Sequence, residues 1–247
     1  MVSIRIRDVV FSNIQAVIFD KDGTLEDSET FLRHLGQKRS RLVDAQIPGA
    51  GESMLIAYGI EGSQLDPAGL LAVGSRRENE IAAAAYIAET GRGWLESLKI
   101  AREAFTEADR ILRDTDNAPS PLFVGSLEVI EELSKVGLKL GILSADTTAR
   151  VQRFMSHYQL DRYIEMGMGV DGGPSKPDPS LFLEACQLLG VAPERTLMVG
   201  DSPLDIEMAA SAGAAGCIGI CWGRPEAAHL EAADVVISQL DEIEVEA

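Results

Sequence analysis

The stretch Val17-Ile18-Phe19-Asp20-Lys21-Asp22-Gly23-Thr24-Leu25 joins an apolar run to two carboxylates one residue apart and a glycine. The apolar run predicts a buried strand, and the glycine permits a tight turn after it. Ligands in open α/β sheets bind just outside the carboxyl ends of strands, which is where Asp20 and Asp22 would lie. A carboxylate there can attack phosphorus while its neighbour transfers a proton. Asp and Gly are also ordinary turn residues, so the stretch alone leaves a solvated turn equally open.

The C-terminal half of the sequence predicts an α/β fold. Over residues 119–240, short apolar runs alternate with amphipathic segments, which is the pattern of βα units around a parallel sheet. Each predicted helix stops at a glycine, which favours the left-handed helix terminus. We therefore expect a Rossmann-like parallel sheet. The expected strands are 16–19, 138–143, 195–199, 217–221 and 234–237, and the expected helices are 126–136, 180–189 and 203–212.

Residues 26–115 follow a different pattern, in which strand-like runs give way to alanine-, glutamate- and arginine-rich stretches with helical spacing. Helices are expected at 28–46, 75–90 and 94–112, with the glycine-containing regions 49–51 and 62–74 as connections. Residues 3–11 alternate apolar and charged side chains, which predicts one half-exposed edge strand. The sequence thus predicts an α/β core domain of residues 1–25 and 116–247 with a helical domain of residues 26–115 inserted into it.

Composition limits the partners of the chain. Its 247 residues carry a formal net charge of −17, which repels nucleic acid and anionic membranes. No run approaches the ~20 apolar residues of a membrane helix, so we expect a cytoplasmic protein. We expect it to be a monomer or a homodimer. The three cysteines fit no zinc motif and are expected in the core as thiols. A phosphate site would need a metal ion, a lysine or helix N-termini to reverse the local potential.

Three later segments carry further candidate residues, each with an ordinary structural explanation. Ser144 ends the run Leu140-Gly141-Ile142-Leu143, but it also suits a strand-to-helix turn in which Asp146 or Thr147 caps the next helix. Lys176 in Ser175-Lys176-Pro177-Asp178-Pro179 would usually be a surface lysine. Asp205 in Val199-Gly200-Asp201-Ser202-Pro203-Leu204-Asp205 has capping-box spacing to Ser202. Asp201 ends an apolar strand, as Asp20 does, and two such carboxylates brought together would repel unless a cation joined them.

Taken together in chain order, these segments resemble the four motifs of the haloacid dehalogenase-like superfamily. The resemblance covers the whole predicted core, and four accidental matches in the correct order at strand ends are improbable. It implies that residues 26–115 form an all-helical cap domain, as in phosphoglycolate phosphatases and β-phosphoglucomutases. It also implies a phosphatase that acts on a small phosphorylated metabolite such as phosphoglycolate or a sugar phosphate.

The resemblance further implies a role for each candidate residue. Asp20 would be the nucleophile and form an aspartyl-phosphate, and Asp22 would protonate the leaving oxygen and later activate water. Ser144 and Lys176 would bind the phosphoryl oxygens. Mg²⁺ would bind the side chains of Asp20 and Asp201 and the backbone carbonyl of Asp22, because this ion prefers oxygen ligands. Asp205 would orient a metal-bound water or Lys176.

Several alternatives remain open from the sequence. A phosphomutase would use the same residues, whereas a non-catalytic binding protein or a metal-independent scaffold would predict degraded motifs or no response to Mg²⁺. Strand alternation places the Lys21 side chain away from Asp20 and Asp22, so no function is assigned to it. Basic residues of the insertion could bind a second anionic group or simply form a solvated face; they are Arg33, Lys38, Arg39, Arg41, Arg76 and Arg77.

Overall fold

The computed structural model describes residues 2–115, 120–222 and 227–246. The strands are β1 (Val2–Ile6), β2 (Val9–Ile14), β3 (Ala16–Phe19), β4 (Ile60–Glu61), β5 (Gln64–Leu65), β6 (Lys139–Leu143), β7 (Met166–Met168), β8 (Thr196–Gly200), β9 (Gly216–Ile220), β10 (Val235–Ile237) and β11 (Glu244–Glu246). The helices are α1 (Glu29–Asp44), α2 (Ala50–Tyr58), α3 (Leu70–Val73), α4 (Arg76–Glu89), α5 (Trp94–Thr115), α6 (Ser126–Lys135), α7 (Thr148–His157), α8 (Pro179–Leu189) and α9 (Pro203–Ser211).

The chain divides into two compact units. One comprises Met1–Asp27 and Pro121–Ala247, and the other comprises Ser28–Ser120. Within the described residues of the first unit, six strands form a parallel sheet in the order β10-β9-β8-β3-β6-β7. This confirms the predicted Rossmann-like α/β core. Strand β3 lies between β6 and β8, so the carboxyl ends of these three strands meet at one edge of the sheet.

Both faces of the central sheet are buried, which explains the continuous apolar run before Asp20. The side chains of Val17 and Phe19 pack in one hydrophobic cluster, and those of Ala16 and Ile18 pack in a second cluster on the other face. All four are fully buried. Burying a large apolar side chain contributes roughly 1.5–3 kcal/mol, so the strand that precedes Asp20 is firmly anchored.

Glycines follow three helices of the first unit as predicted. Gly137, Gly190 and Gly213 follow α6, α8 and α9 and have φ angles of 84°, 65° and 79°. A side chain at such an angle is strained, so these positions favour glycine and stop each helix before the next strand. The predicted cysteine packing also holds for Cys186 and Cys217, which are buried in the second hydrophobic cluster.

The second unit is mainly helical and has its own hydrophobic core, formed by residues from α1, α2, α4 and α5. Helix α4 begins with a capping box in which the side chains of Ser75 and Glu78 each accept a hydrogen bond from the other's backbone N–H. Arg39 and Arg76 both form ion pairs with Asp109. Arg39 is only 4% exposed, so this arginine does not belong to a solvated basic face.

Helix α2 was not predicted from the sequence, because Ala50 and Gly51, the first residues of this helix, were assigned to a connection. Asp44 accounts for the difference: its Oδ1 accepts hydrogen bonds from the backbone N–H groups of Gly49 (2.8 Å) and Gly51 (3.2 Å). These bonds satisfy donors at the start of the helix. The short helix α3 and the β4–β5 pair, both within the predicted connection 62–74 or just before it, were also missed.

The prediction of one edge strand over residues 3–11 is wrong. The segment turns at Arg7, which has a φ angle of 52°, and forms the antiparallel pair β1–β2. Strand β11 pairs with the other side of β1, so these strands form a separate three-stranded sheet. Strand β7, at the edge of the central sheet, was missed because Met166–Met168 is too short to show a pattern. In the described parts of the chain, no helix has the length and apolar character needed to cross a bilayer.

Candidate active site

The carboxyl edge of the central sheet carries the candidate residues from the first, second and fourth motifs. Asp20, Ser144 and Asp201 directly follow β3, β6 and β8, which are neighbours in the sheet. Lys176 comes shortly before α8, and Asp205 lies in the first turn of α9. Residues that are far apart in sequence therefore approach one another because parallel strands end at the same edge.

Lys176 joins two of the carboxylates. Its Nζ lies 2.6 Å from Asp20 Oδ1 and 2.6 Å from Asp205 Oδ1. The lysine is 5% exposed, so the alternative of a solvated surface lysine is wrong. Its pKa is raised: burial alone would lower it, but the neighbouring carboxylates outweigh that effect. The ammonium group therefore stays charged beside the predicted nucleophile.

Asp20, Asp201 and Asp205 form a compact acidic group. Each offers one carboxylate oxygen, and these oxygens all lie within 4.8 Å of one another. Two glycines allow the approach, since a Cβ on Gly23 would collide with the Asp201 carboxylate and one on Gly200 would lie 2.5 Å from Asp205 Oδ2. Gly23 also has a φ angle of 80°, which a side chain would strain.

The acidic group carries more negative charge than Lys176 can offset. The pKa of Asp20 is raised to about 7, because the raising effects of burial and of the nearby aspartates outweigh the lowering effect of Lys176. Burial also raises the pKa of Asp201, and the negative charge of Asp20 adds to this effect. Three carboxylates facing one lysine favour binding of a cation, and an all-oxygen donor set suits Mg²⁺. These residues therefore fit a divalent metal ion.

Asp205 takes part in both of the interactions that its sequence position allowed. Its Oδ2 accepts a hydrogen bond from the backbone N–H of Ser202 (3.3 Å), which completes the capping box of α9. Its Oδ1 pairs with Lys176. The helix start thus fixes the carboxylate that holds the lysine, so capping and the candidate site share one side chain.

Asp22 and Ser144 lie beside each other, although their contact is long. Ser144 Oγ is 3.5 Å from Asp22 Oδ2 and accepts a hydrogen bond from the backbone N–H of Asp146 at 3.1 Å. The side chain of Thr147, at the start of α7, makes no capping hydrogen bond. The proposed capping role of Thr147 is therefore wrong, whereas Asp146 Oδ1 accepts from the Thr147 N–H at 2.8 Å.

Lys21 contradicts the expectation from strand alternation. The strand ends at Phe19, so alternation does not extend to Lys21, whose Nζ lies 2.6 Å from Asp22 Oδ2 and 2.7 Å from Glu26 Oε2. Its pKa is raised because the surrounding carboxylates outweigh the lowering effect of burial. The ion pair between Lys21 and Glu26 was not predicted from the sequence. The feature that could have indicated it is the position of a lysine and a glutamate at the two ends of a glycine-containing turn.

Comparisons with known proteins agree with this geometry. The family model of haloacid dehalogenase-like hydrolases matches residues 14–213. A phosphoglycolate phosphatase of Escherichia coli (strain K12) is 28% identical over 240 residues, covering 94% of this chain and 92% of the relative. One of Salmonella typhimurium is 29% identical over 244 residues, covering 94% and 91%.

Solved structures share the fold. A protein described as a predicted phosphoglycolate phosphatase from Haemophilus somnus superimposes with a TM-score of 0.69 at 21% identity, covering 93% of this chain and 96% of that one. A protein described as a β-phosphoglucomutase from Thermotoga maritima gives a TM-score of 0.59 at 20% identity, with 92% and 96% covered. At these identities the likeness concerns the fold alone.

Proposed function

The chain belongs to the haloacid dehalogenase-like hydrolase family, and from this premise we propose that it is a magnesium-dependent phosphatase that hydrolyses a small phosphate monoester. The observation that carries the proposal is the buried group of Asp20, Lys176, Asp201 and Asp205 at the carboxyl edge of the sheet. Family membership confirms the predicted enzyme class. The two relatives named above are phosphoglycolate phosphatases, and their sequence similarity covers 94% of this chain. This similarity supports phosphatase activity here.

Asp20 is the proposed nucleophile. Its carboxylate attacks the substrate phosphorus, the bond from phosphorus to the ester oxygen breaks, and the departing oxygen takes a proton from Asp22. Water then attacks the aspartyl-phosphate and gives its proton to Asp22, which releases phosphate and restores both aspartates. Lys176 and Ser144 bind the phosphoryl oxygens, because phosphoryl transfer depends mainly on positioning and charge stabilisation.

The metal ligands are proposed to be the side chains of Asp20 and Asp201 and the backbone carbonyl of Asp22. Asp205 would orient a metal-bound water or Lys176, and its pairing with Lys176 favours the second of these roles. When bound, Mg²⁺ supplies positive charge that offsets the phosphate and the carboxylates. The structural support is the excess of carboxylates over cations among Asp20, Asp201, Asp205 and Lys176.

The helical unit Ser28–Ser120 is proposed to serve as a cap that controls access to the site. It is inserted in the chain five residues after Gly23 and returns to the first unit at Pro121. A helical cap would exclude bulk water and bulky phosphoproteins, which favours a small substrate of the phosphoglycolate type.

Phosphate release from a panel of small esters would test the proposed activity. Phosphoglycolate, hexose phosphates and p-nitrophenyl phosphate are incubated with the full chain in Mg²⁺ and in excess chelator. We expect Mg²⁺-dependent release of phosphate, which is abolished in Asp20→Asn. Release should be retained in Asp161→Asn, the same substitution at an exposed aspartate. No release from any ester, or conversion of a hexose phosphate to its isomer without net release, would contradict the phosphatase proposal.

A further inference from the structure

Lys21 is a buried cation at the centre of three carboxylates. Its Nζ lies 2.6 Å from Asp22 Oδ2, 2.7 Å from Glu26 Oε2 and 3.7 Å from Asp146 Oδ2, and its side chain is 5% exposed. The ammonium also lies 5.7 Å from the centre of the Phe154 ring, within the range of a cation–π contact. Burying a lysine carries a desolvation cost, which several close partners are needed to offset.

The turn that carries Asp22 is closed by its own backbone. The carbonyl oxygen of Lys21 accepts hydrogen bonds from the N–H groups of Leu25 (3.0 Å) and Glu26 (2.9 Å), and the Gly23 N–H donates to the Glu26 carbonyl (2.9 Å). The ammonium group of Lys21 is therefore not required to close the turn. What it adds is a contact with the Asp22 side chain as short as its contact with Glu26.

Lys21 is itself held from two loops. Glu26 ends the turn after β3, and Asp146 lies in the loop after β6. Asp146 also pairs with Arg150 on α7 at 3.2 Å, and its backbone N–H donates to Ser144 Oγ. Because its partners come from two strand ends, the ammonium has a fixed position and can orient whatever it binds.

We propose that Lys21 is a positioning residue that holds the carboxyl group of Asp22 in the orientation needed for proton transfer at the leaving oxygen. The proposal rests on the proposed function, in which Asp22 gives its proton to the departing oxygen as the phosphorus–oxygen bond breaks. Lys21 contacts Oδ2 of Asp22, and no contact of Lys21 with the substrate is proposed. Its effect is therefore exerted through the geometry of Asp22.

Leaving-group dependence separates this role from a purely structural one. An alkoxide departs with difficulty without a proton, whereas p-nitrophenolate departs readily because its conjugate acid is much stronger. The parameter kcat/KM covers the steps up to the first irreversible one, here departure of the leaving group. Disordering Asp22 should therefore lower kcat/KM for an alkyl phosphate much more than for p-nitrophenyl phosphate. A general loss of structure would lower both alike.

The experiment measures kcat/KM for phosphoglycolate and for p-nitrophenyl phosphate in saturating Mg²⁺. The variants are Lys21→Met, Lys21→Arg, Asp22→Asn and the double variant Lys21→Met/Asp22→Asn. Lys139→Met is the matched control. Lys139 is the first residue of β6, at the end of the strand away from the candidate site, and its Nζ donates a hydrogen bond to the Leu189 carbonyl at 2.7 Å. Thermal unfolding of each variant reports its stability.

For Lys21→Met we expect the ratio of the two kcat/KM values, alkyl over aryl, to fall by tenfold or more, toward the ratio of Asp22→Asn. The double variant should show no further fall, because both changes disable the same group. Lys21→Arg keeps the charge but not the position of the nitrogen, so its ratio should fall less. Lys139→Met should keep the wild-type ratio.

An equal loss on both substrates in Lys21→Met would overturn the proposal and leave the phosphatase function standing. If Lys21→Met does not fold, an unchanged ratio in Lys21→Arg would overturn it in the same way. If the wild-type chain releases phosphate from neither of these substrates nor from any hexose phosphate, the proposed function fails and the role of Lys21 fails with it.

Discussion

Replacing Asp20 by asparagine should change how the stability of the metal-free protein depends on pH. Burial raises the pKa of this carboxyl group from its ordinary value of 3.8 to about 7 in the folded protein. The folded state therefore binds the proton more tightly than the unfolded state does. The resulting stabilisation is fully present below about pH 4 and is lost as the pH rises to about 7.

The size of the effect follows from the two pKa values. At about 1.4 kcal/mol for each tenfold change in the acid constant, a rise from 3.8 to about 7 corresponds to about 4 kcal/mol. About 2.5 kcal/mol of this falls between about pH 5 and pH 8. Asp20 also raises the pKa of Asp201, so its removal should lower that pKa and change the pH dependence in the same direction.

The assay is urea unfolding of wild type and Asp20→Asn in chelator between about pH 5 and pH 8. The free energy of unfolding of the wild type, relative to the variant, should fall by about 2.5 kcal/mol as the pH rises. Mg²⁺ should restore stability to the wild type at the upper end of this range. The free energy of unfolding of Asp161→Asn should change with pH in the same way as that of the wild type. Parallel curves for Asp20→Asn would refute the proposed burial of an ionisable nucleophile.

Three further substitutions test other parts of the site and fold. Lys176→Met should cost about 3–5 kcal/mol in the free energy of unfolding, because it leaves two buried carboxylates without their cation, and an unchanged urea midpoint would contradict this. Gly23→Ala should weaken Mg²⁺ binding, measured by calorimetry, whereas Gly137→Ala should not, because the two glycines have φ angles of 80° and 84° but only the first lies against the Asp201 carboxylate. Ser75→Ala should cost about 1 kcal/mol through loss of the helix cap without changing kcat, so a fall in kcat would oppose a purely structural role.

The central sheet could be predicted because its strands are buried on both faces. The largely apolar runs within 138–143 and 195–199 have no surface-helix pattern, and the glycines at 137, 190 and 213 mark where three of the helices stop. The predicted strand ends place Asp20, Ser144 and Asp201 at one edge of the sheet. Parallel topology converts sequence order into proximity, so these positions were accessible to reasoning from the sequence.

Features that depend on a single side chain could not be predicted in the same way. Helix α2 begins where Asp44 binds the N–H groups of Gly49 and Gly51, and no periodic pattern encodes such a cap. Lys21 was placed on the wrong side because alternation holds only within a strand, and β3 ends before it. The ion pairs of Lys21 are set by the turn and by a loop 125 residues later in the chain, which supplies Asp146.

Trapping the covalent intermediate bears most directly on the proposed mechanism. The full chain is mixed with phosphoglycolate and Mg²⁺, quenched within one turnover and treated with borohydride, which reduces an aspartyl-phosphate to homoserine. Peptide mass spectrometry should then find homoserine at position 20, in a fraction that falls to background in chelator. Phosphate release without modification at Asp20, or modification at another carboxylate, would contradict the assignment of Asp20 as the nucleophile.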